Sequence, residues 1–317
     1  MKAVVYDRYG GPEVLSVAQV PVPAPGPKQV LVQVHATSLN LSDWETLRGT
    51  PLYSRLGGLR APRRPILGSD IAGRVEAVGA EVTQFAPGDA VYGDNLMLKG
   101  GFAEYAVAPE SALAHKPAEL SFAEASALPQ AAAIAVQGTA GIEAGMSVLI
   151  NGAGGGSGMF AIQLAKNAGA RVTGVDNAAK LAFMQGLGAD AVLDYRVEDF
   201  TRTGPHDRVL DLVAYRSVFA YRRAVARGGR YRCVGGTTRA LLRMTTLGVL
   251  TGLVTGRGLG VLAVKEGPAH FTPLARECVA GRVAIHIDRE FELEETAAAL
   301  AHVGAGRALG KVVVRVR

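Results

Sequence analysis

The sequence predicts an α/β protein in which a compact β-rich domain is followed by a doubly wound parallel sheet. Short alternating strands separated by frequent turns fill the first third, and strands alternate with helices after about Ser121. A glycine-rich turn joins one of these later strands directly to a helix. Because strands separated by helices pair in parallel, the later part predicts βαβ units. With 317 residues and a 49% hydrophobic composition, the chain is long and apolar enough for about two domains.

The first third has the pattern of half-buried strands. Apolar and polar residues alternate over residues 29–35 and 71–78. Turn signals separate these strands, and they lie at Gly10-Gly11-Pro12, Pro25-Gly26-Pro27, Pro87-Gly88-Asp89 and Lys99-Gly100-Gly101. Short strands between such turns predict a compact, partly barrel-like β domain.

The middle of the chain alternates strands with helices. An alanine-rich stretch over residues 122–136 has helical spacing and good helix formers. Strands are predicted over 147–151, 171–175, 191–195, 208–211 and 230–234, and helices over 159–168 and 180–188. After about Gly258 the pattern breaks up, and a final strand is predicted over 310–315.

The apolar stretch 241–264 is the segment in which a membrane span would have to lie. Arg243 and Arg257 leave only thirteen residues between them, fewer than the roughly 20 that a span needs. We therefore interpret the stretch as buried helix and loop, or as the lipophilic wall of a pocket. No signal-peptide pattern follows Met1, and the two cysteines cannot form a disulfide framework. We expect a cytoplasmic chain without a membrane span.

The charge balance limits the partners. Lys and Arg number 34 against 28 Asp and Glu, a net charge of +6 that is spread along the chain. A solvated basic surface and anionic small ligands both fit this excess. Because no Lys/Arg block with interleaved aromatic residues occurs, we expect no nucleic-acid binding.

The strongest chemical signal is the glycine-rich turn between residues 151 and 159. Gly152, Gly155 and Gly158 have a G-x-x-G-x-x-G spacing, and Gly156 and Ser157 lie between the last two. A strand precedes this turn and a helix follows it. Such a turn lets the backbone approach a pyrophosphate while free N–H groups at the helix start face the anion. The segment therefore predicts dinucleotide binding.

Two residues after the next strand bear on the choice between NAD(H) and NADP(H). Asp176 lies 18 residues past Gly158, where an acid accepts a hydrogen bond from the ribose 2′-hydroxyl and favours NAD. Lys180 could contact a 2′-phosphate and favour NADP. A helix N-cap at Asp176 and a solvated Lys180 are the structural alternatives. Because Asp176 favours NAD and Lys180 favours NADP, the sequence predicts either NADP(H) or NAD(H) as the cofactor.

An ordered set of motifs resembles the medium-chain dehydrogenase/reductase superfamily, specifically its zinc-less quinone oxidoreductase branch. In chain order these motifs are Asn40-Leu-Ser-Asp43, Gly68-Ser-Asp70-Ile-Ala-Gly73, Pro87-Gly-Asp89, Gly100-Gly-Phe-Ala-Glu104-Tyr, Leu128-Pro129, the glycine turn, Leu187-Gly-Ala-Asp190, Val234-Gly-Gly236 and Gly310-Lys-Val-Val.

The resemblance implies both a domain plan and the location of the active site. Residues 1–122 would form a chaperonin-10-like (GroES-like) catalytic domain, and residues 123–258 a Rossmann NAD(P)-binding domain. Residues 259–317 would return to the catalytic domain. The active site would lie in the cleft between the domains. Family members are commonly dimers, so a homodimer is expected.

Zinc is not expected. By the same resemblance, Asn40 stands where zinc alcohol dehydrogenases have a cysteine ligand, and Gly68-Ser69-Asp70 stands where they have Gly-His-Glu. The cysteines of a structural-zinc lobe are missing, and the six histidines have no ligand-like spacing.

The resemblance also implies a reaction. Hydride from the nicotinamide would add to a quinone or to the β-carbon of an enone, and a hydrogen-bond donor would stabilise the developing enolate oxygen. Asn40 and Asp43 would lie near the nicotinamide, with an Asx turn and a helix N-cap as structural alternatives. Tyr53 is the best donor candidate, although a packed tyrosine is the alternative. Tyr195 would lie near the adenosine, and Val213 and Gly235 would flank the cofactor.

One departure from the family pattern motivates an alternative. Ile134 stands where the family usually has a threonine that contacts the nicotinamide carboxamide, so a hydrogen bond is lost there. The leading hypothesis is an NAD(P)H-dependent reductase of a small lipophilic quinone or carbonyl compound. The alternatives are a biosynthetic enoyl reductase or reductive cyclase on a lipophilic intermediate, and a cofactor-binding protein with little turnover.

Overall fold

The computed structural model describes all of residues 1–317, which form two compact units. The first unit comprises residues 1–133 and 266–317, and the second comprises residues 134–265. The strands are β1 Lys2–Val5, β2 Ser16–Gln19, β3 Gln29–Ser38, β4 Asp70–Val78, β5 Ala90–Asp94, β6 Tyr105–Pro109, β7 Leu113–His115, β8 Ser147–Asn151, β9 Arg171–Asp176, β10 Ala191–Asp194, β11 His206–Asp211, β12 Val225–Cys233, β13 Gly258–Val261, β14 Ile287–Glu292 and β15 Lys311–Arg315. The helices are α1 Leu41–Arg48, α2 Phe122–Ser126, α3 Pro129–Gly138, α4 Gly156–Asn167, α5 Leu181–Gly186, α6 Val218–Ala224, α7 Thr238–Arg243, α8 Val249–Thr255, α9 Pro268–Val279 and α10 Thr296–Gly304.

The first unit is built on a mainly antiparallel sheet of seven strands. Its order is β14-β15-β3-β4-β5-β7, with β6 also paired to β3, and only β14 and β15 are parallel neighbours. The alternation predicted for residues 29–35 places Val30, Val32 and Val34 in the core, where they pack with Ile71 and Val75. The C-terminal strand β15 pairs with β3, so the end of the chain belongs to the same unit as its beginning.

The second unit is a Rossmann sheet. Six parallel strands lie in the order β10-β9-β8-β11-β12-β13, which is the 3-2-1-4-5-6 order of a doubly wound dinucleotide-binding fold. Helix α4 follows β8, the first strand of this series. The predicted fold class, a GroES-like β-rich domain with a Rossmann domain, is therefore confirmed.

The boundaries of the units differ from those drawn on the sequence. The sequence placed them at 122/123 and 258/259, whereas the units divide at 133/134 and 265/266. Helix α2 contacts β3 and β4, which belong to the first unit. The alanine-rich stretch therefore begins in the first unit, and β13 completes the Rossmann sheet before the chain returns.

The interpretation of the apolar stretch 241–264 as buried was wrong. Helix α7, a π-helical turn over Met244–Gly248 and helix α8 form one rod, which then leads to β13. Leu250, Leu253 and Val254 on this rod are 62%, 76% and 87% exposed. The sequence pattern misled because Met244, Gly248 and Gly252 form the buried side of the rod, whereas most of its leucines and valines are exposed. No helix in the structure combines the length and the apolar character that a membrane crossing requires.

Candidate functional site: a glycine turn and a buried polar cluster

The glycine turn links the end of β8 to the start of α4. Gly152 has a φ of +82°, in the left-handed region that favours glycine. A β-carbon at Gly158 would lie 2.4 Å from the Gly152 carbonyl oxygen and 2.5 Å from the Ala153 Cα. Since both neighbours are backbone atoms, only glycine lets the first turn of α4 pack so closely on the loop before it.

The same turn leaves an open cradle for an anion. Gly155 is the N-cap residue of α4, and no side chain caps the helix. A β-carbon at Gly155 would meet only the Gly152 oxygen, at 3.5 Å, an ordinary contact. The N–H groups of the first turn, which includes Gly156 and Ser157, point out of the helix start and are polarised by its dipole. These features fit the diphosphate of a dinucleotide.

Asp176 and Lys180 lie together beside this turn. The Gly154 N–H donates to Asp176 Oδ2 at 3.0 Å, and Lys180 Nζ lies 3.5 Å from the same oxygen. Asn177 donates to Asp176 Oδ1 from its backbone at 2.9 Å and from its side chain at 3.1 Å. Asp176 and Lys180 are only 8% and 6% exposed. The two residues expected to act in opposite directions on the cofactor are therefore partners in one buried ion pair.

The other expected cofactor contacts lie just beyond the carboxyl ends of three Rossmann strands. Tyr195 follows β10, and its ring centroid lies 6.2 Å from that of Tyr215. Val213 follows β11 and is 43% exposed, and Gly235 follows β12 with a φ of +75° and open space around its Cα. This edge is where open α/β sheets bind ligands. Ile134 is half-buried on α3 and contributes an apolar side chain.

In the first unit, Lys311 places an ammonium group inside a polar cluster. Lys311 is 2% exposed. Its Nζ donates to Asn40 Oδ1 at 2.8 Å and to the Leu39 carbonyl at 3.2 Å, and it lies 3.3 Å from Asp70 Oδ2. Burial raises the pKa of Asp70, and the Lys311 charge opposes that rise. The cation thus partly compensates a fully buried carboxyl group.

Asn40 and Asp43 form the start of helix α1. Asn40 is the N-cap residue, and its backbone N–H donates to Asp43 Oδ2 at 3.0 Å, as in a capping box. The Asn40 Nδ2 group donates to Asp70 Oδ2 at 2.9 Å and to Ser69 Oγ at 3.3 Å. Asp43 is completely buried, and Lys99 Nζ lies 3.5 Å from its Oδ1. The contacts of Asn40 and Asp43 are therefore those of a helix N-cap, the structural alternative considered for them from the sequence.

Asp94 adds a second buried carboxyl group. Asp94 lies opposite Asp70 in the β4–β5 pairing, is 8% exposed, and its Oδ1 has no hydrogen-bond partner. Burial, followed by the nearby Asp70 carboxyl group, raises the pKa of Asp94 well above its ordinary value. The protonated form is thereby favoured.

Sequence reasoning missed both Lys311 and Asp94. Lys311 carries a signal, since a lysine opens a run of valines in a predicted buried strand. Asp94 ends an ordinary apolar strand and carries no such signal.

Tyr53 lies in a short helical turn over Leu52–Arg55, where its hydroxyl donates to Glu45 Oε2 at 3.2 Å. Burial raises the pKa of Tyr53, and the Glu45 carboxyl group adds to the rise. Burial also raises the pKa of Glu45 to about 7, although the Tyr53 hydrogen bond opposes it. The hydroxyl is thus paired with a carboxyl group that titrates near neutral pH.

The side chains do not form a metal site. No group of three or more His, Cys, Asp or Glu residues is arranged to hold a metal ion. At the positions where the resemblance would place zinc ligands, the amide of Asn40 contacts the hydroxyl of Ser69, the carboxyl group of Asp70 and the ammonium of Lys311.

Two family models match the chain. Residues 26–118 match the alcohol dehydrogenase GroES-like domain, and residues 187–314 match a model described as zinc-binding dehydrogenase.

Similar proteins match over nearly the whole length. A chloroplastic quinone-oxidoreductase QR1 from Triphysaria versicolor is 33% identical, with 99% of this chain and 98% of the relative covered. A 2-methylene-furan-3-one reductase from Solanum lycopersicum is also 33% identical, with 99% and 79% covered. The solved quinone oxidoreductase from Coxiella burnetii superposes with a TM-score of 0.91 at 30% identity, covering 100% of this chain and 99% of that one.

Proposed function

The chain belongs to the quinone-oxidoreductase-like medium-chain dehydrogenases/reductases, and from this premise we propose that it transfers hydride from NAD(P)H to a quinone or an α,β-unsaturated carbonyl compound without zinc. The observation that carries the proposal is the open Gly155 cradle between β8 and α4 of a Rossmann sheet. The two relatives described above are named as reductases of a quinone and of an enone, which supports the same class of acceptor.

In this proposal, backbone N–H groups of the glycine turn hold the diphosphate. Gly152 and Gly158 shape the turn, and Gly155, Gly156 and Ser157 at the start of α4 would face the phosphates. Tyr195, Val213 and Gly235 line the strand ends along which the rest of the cofactor would extend. A bound reduced nicotinamide would supply a hydride ion, that is, a proton together with two electrons. The Asp176–Lys180 pair would contact the adenosine ribose.

The proposed proton donor is Tyr53. When hydride adds to the acceptor, an electron pair moves onto its carbonyl oxygen, which then needs a proton or a strong hydrogen bond. The Tyr53 hydroxyl would give that proton and recover one from Glu45, whose pKa of about 7 allows it to carry a proton near neutral pH. Asn40 and Asp43 would support this site through helix α1.

The absence of zinc in the proposal is supported by Lys311. Its ammonium already donates to Asn40 and lies beside Asp70, so a second cation there would meet direct repulsion. Neither Asn40 nor Ser69 is a zinc ligand of the usual kind.

Two glycine substitutions test the cofactor site. Gly155→Ala adds a methyl group that the protein itself accommodates, so we expect normal folding and at least a tenfold weaker affinity for NADH and NADPH in calorimetry. Gly186→Ala, where nothing lies within 4 Å of the added carbon, is the matched control and should bind like the parent protein. If Gly155→Ala bound both nucleotides normally, or the parent protein bound neither, the proposed function would be wrong.

The second candidate is a cofactor-binding protein with little activity. Ile134 favours it, because this side chain has no hydrogen-bonding group for the nicotinamide carboxamide. Measurement of turnover separates the two candidates. Oxidation of NADH and NADPH is followed with a panel of quinones and enones, including lipophilic enoyl compounds that a biosynthetic reductase would accept. Consumption with quinones or enones supports the proposal. Tight nucleotide binding without turnover on any acceptor supports the second candidate.

A further inference from the structure

Gln130 is held by three contacts within the first unit. It is the second residue of helix α3, and its backbone N–H donates to Asp70 Oδ1 at 3.1 Å. Its side-chain oxygen accepts a hydrogen bond from Ser42 Oγ at 3.0 Å. Its side-chain amide donates to Asp94, which opposes the rise in the pKa of that acid. The side chain is half-buried, so these contacts fix it without enclosing it.

These contacts determine which way the amide group of Gln130 faces. The Ser42 hydroxyl lies at the amide oxygen, so the amide nitrogen is directed to the other side, toward Asp94. An amide nitrogen carries two N–H groups. The structure shows Asp94 as the partner of this nitrogen, so the second N–H is available to a ligand. Asn40 differs, because both N–H groups of its amide already have buried partners.

Asp94 can hold this amide without adding charge. Its Oδ1 is buried without a hydrogen-bond partner, and burial, followed by the Asp70 carboxyl group, raises its pKa well above the ordinary value. The protonated acid that is thereby favoured still accepts a hydrogen bond from Gln130. A neutral Asp94 does not repel negative charge that develops on a ligand of Gln130.

Ser42 also connects Gln130 with the proposed proton donor. Ser42 and Glu45 lie three residues apart on helix α1, a spacing that places both on one face of the helix. Glu45 accepts a hydrogen bond from the Tyr53 hydroxyl at 3.2 Å. The amide of Gln130 and the hydroxyl of Tyr53 are therefore both anchored to the same face of α1.

We infer that Gln130 is a further catalytic residue, whose second Nε2–H binds the carbonyl oxygen of the acceptor while Ser42 and Asp94 position the amide. The inference rests on the proposed function, because it names the group that binds the quinone or enone. When hydride adds to the β-carbon of an enone, the electron pair of the C=C bond shifts and the carbonyl oxygen takes the negative charge. Gln130 stabilises that charge, and Tyr53 supplies the proton. A preorganised amide donor at such an oxygen contributes about 10²–10³ to the rate.

Steady-state reduction of quinones and enones by the full-length protein tests the role of Gln130. Gln130→Leu removes both amide N–H groups, so kcat should fall about a hundredfold, with unchanged affinity for NADH and NADPH in calorimetry. Hydride transfer should then limit turnover, so the rate should fall further when the transferred hydrogen is deuterium. Gln84→Leu is the matched control, because Gln84 is exposed in the same unit, and it should turn over like the parent protein.

Further variants separate catalysis from folding. Gln130→Leu leaves Asp94 without its amide partner, whereas Gln130→Leu/Asp94→Leu removes the buried acid as well and should be at least as stable as Gln130→Leu in urea. The kcat of this double variant should remain about a hundredfold low. Ser42→Ala should lower kcat about tenfold, because the amide loses one orienting hydrogen bond, and Ser42→Thr, which keeps the hydroxyl, should restore it.

The outcomes distinguish this inference from the proposed function. If the parent protein reduces quinones or enones and Gln130→Leu keeps its kcat, the inference is wrong and the proposed reaction stands. Activity that is lost in Gln130→Leu but restored in the double variant would also overturn the inference, because the defect would then lie in folding. A parent protein that binds nucleotide but reduces no acceptor would refute both.

Discussion

Removal of the Lys311 ammonium should destabilise the first unit strongly. Lys311→Met keeps most of the aliphatic stem but loses the contacts to Asn40 at 2.8 Å, to the Leu39 carbonyl at 3.2 Å and to Asp70 at 3.3 Å. Asp70 would then be a fully buried carboxyl group without its cation. Breaking one half of a buried pair costs about 3–5 kcal/mol. We expect the free energy of unfolding to fall by about that amount near neutral pH.

The loss of unfolding free energy caused by Lys311→Met should be smaller in acid. Burial already raises the pKa of Asp70, and without Lys311 it rises further. An acid whose folded pKa exceeds its unfolded value favours folding fully below the unfolded pKa, and this contribution is lost as pH rises through the folded pKa. The penalty of Lys311→Met should therefore be smallest near pH 4, around the unfolded pKa of an aspartic acid, and should grow toward neutral pH.

Urea denaturation followed by the fluorescence of Trp44, the single tryptophan, measures this unit directly. The double variant Asp70→Asn/Lys311→Met removes both charges, so it should be more stable than Lys311→Met alone. Lys2→Met is the control, because it breaks only an exposed pair with Glu294 and should leave the midpoint unchanged. A Lys311→Met protein within about 1 kcal/mol of the parent, or a double variant no more stable than the single one, would refute the reasoning.

Three further substitutions have defined outcomes. Asp176→Ser removes the carboxylate and releases Lys180, so the affinity for NADPH relative to NADH should rise roughly tenfold in calorimetry. In the parent protein, the Glu45 pKa of about 7 should lower the free energy of unfolding as pH rises between about pH 5 and 7, by on the order of 1 kcal/mol after solvent screening. Glu45→Gln should remove this pH dependence, which thermal melts measure. Tyr53→Phe should lower kcat about a hundredfold without changing nucleotide affinity, and unchanged turnover would exclude Tyr53 as the proton donor.

The Rossmann sheet and the β-rich unit could be predicted because their signals are periodic and local. Alternation over residues 29–35 gave the buried valines of β3, and the strand–turn–helix around Gly152 gave the first βαβ crossover. The boundaries of the two units were harder to predict, because whether α2 packs on one sheet or the other depends on contacts between residues far apart in the sequence.

The α7–α8 rod shows where pattern reasoning fails. Apolar residues normally mark the buried face of a helix, so residues 241–264 indicated burial. In the structure the buried side of the rod is formed by Met244, Gly248 and Gly252, and the missing side chain of Gly252 allows a close approach of the Arg257 backbone. A hydropathy pattern gives glycine no such weight. The Asp176–Lys180 pair could not be predicted from helix spacing, because Asp176 ends strand β9 and Lys180 lies in the short helical turn that follows it.

The hydrogen bonds of Asn40 indicate which of the proposed catalytic residues, Asn40, Asp43 and Tyr53, donates the proton. Its Oδ1 accepts from Lys311, and its Nδ2 donates to both Asp70 and Ser69. An amide has only two N–H donors, so Asn40 cannot bind an acceptor's oxygen without giving up a buried partner, which costs about 1–3 kcal/mol. Asp43 is likewise occupied by the Asn40 backbone. We therefore expect Asn40 and Asp43 to position helix α1, and the proton to come from Tyr53, whose partner Glu45 titrates near neutral pH.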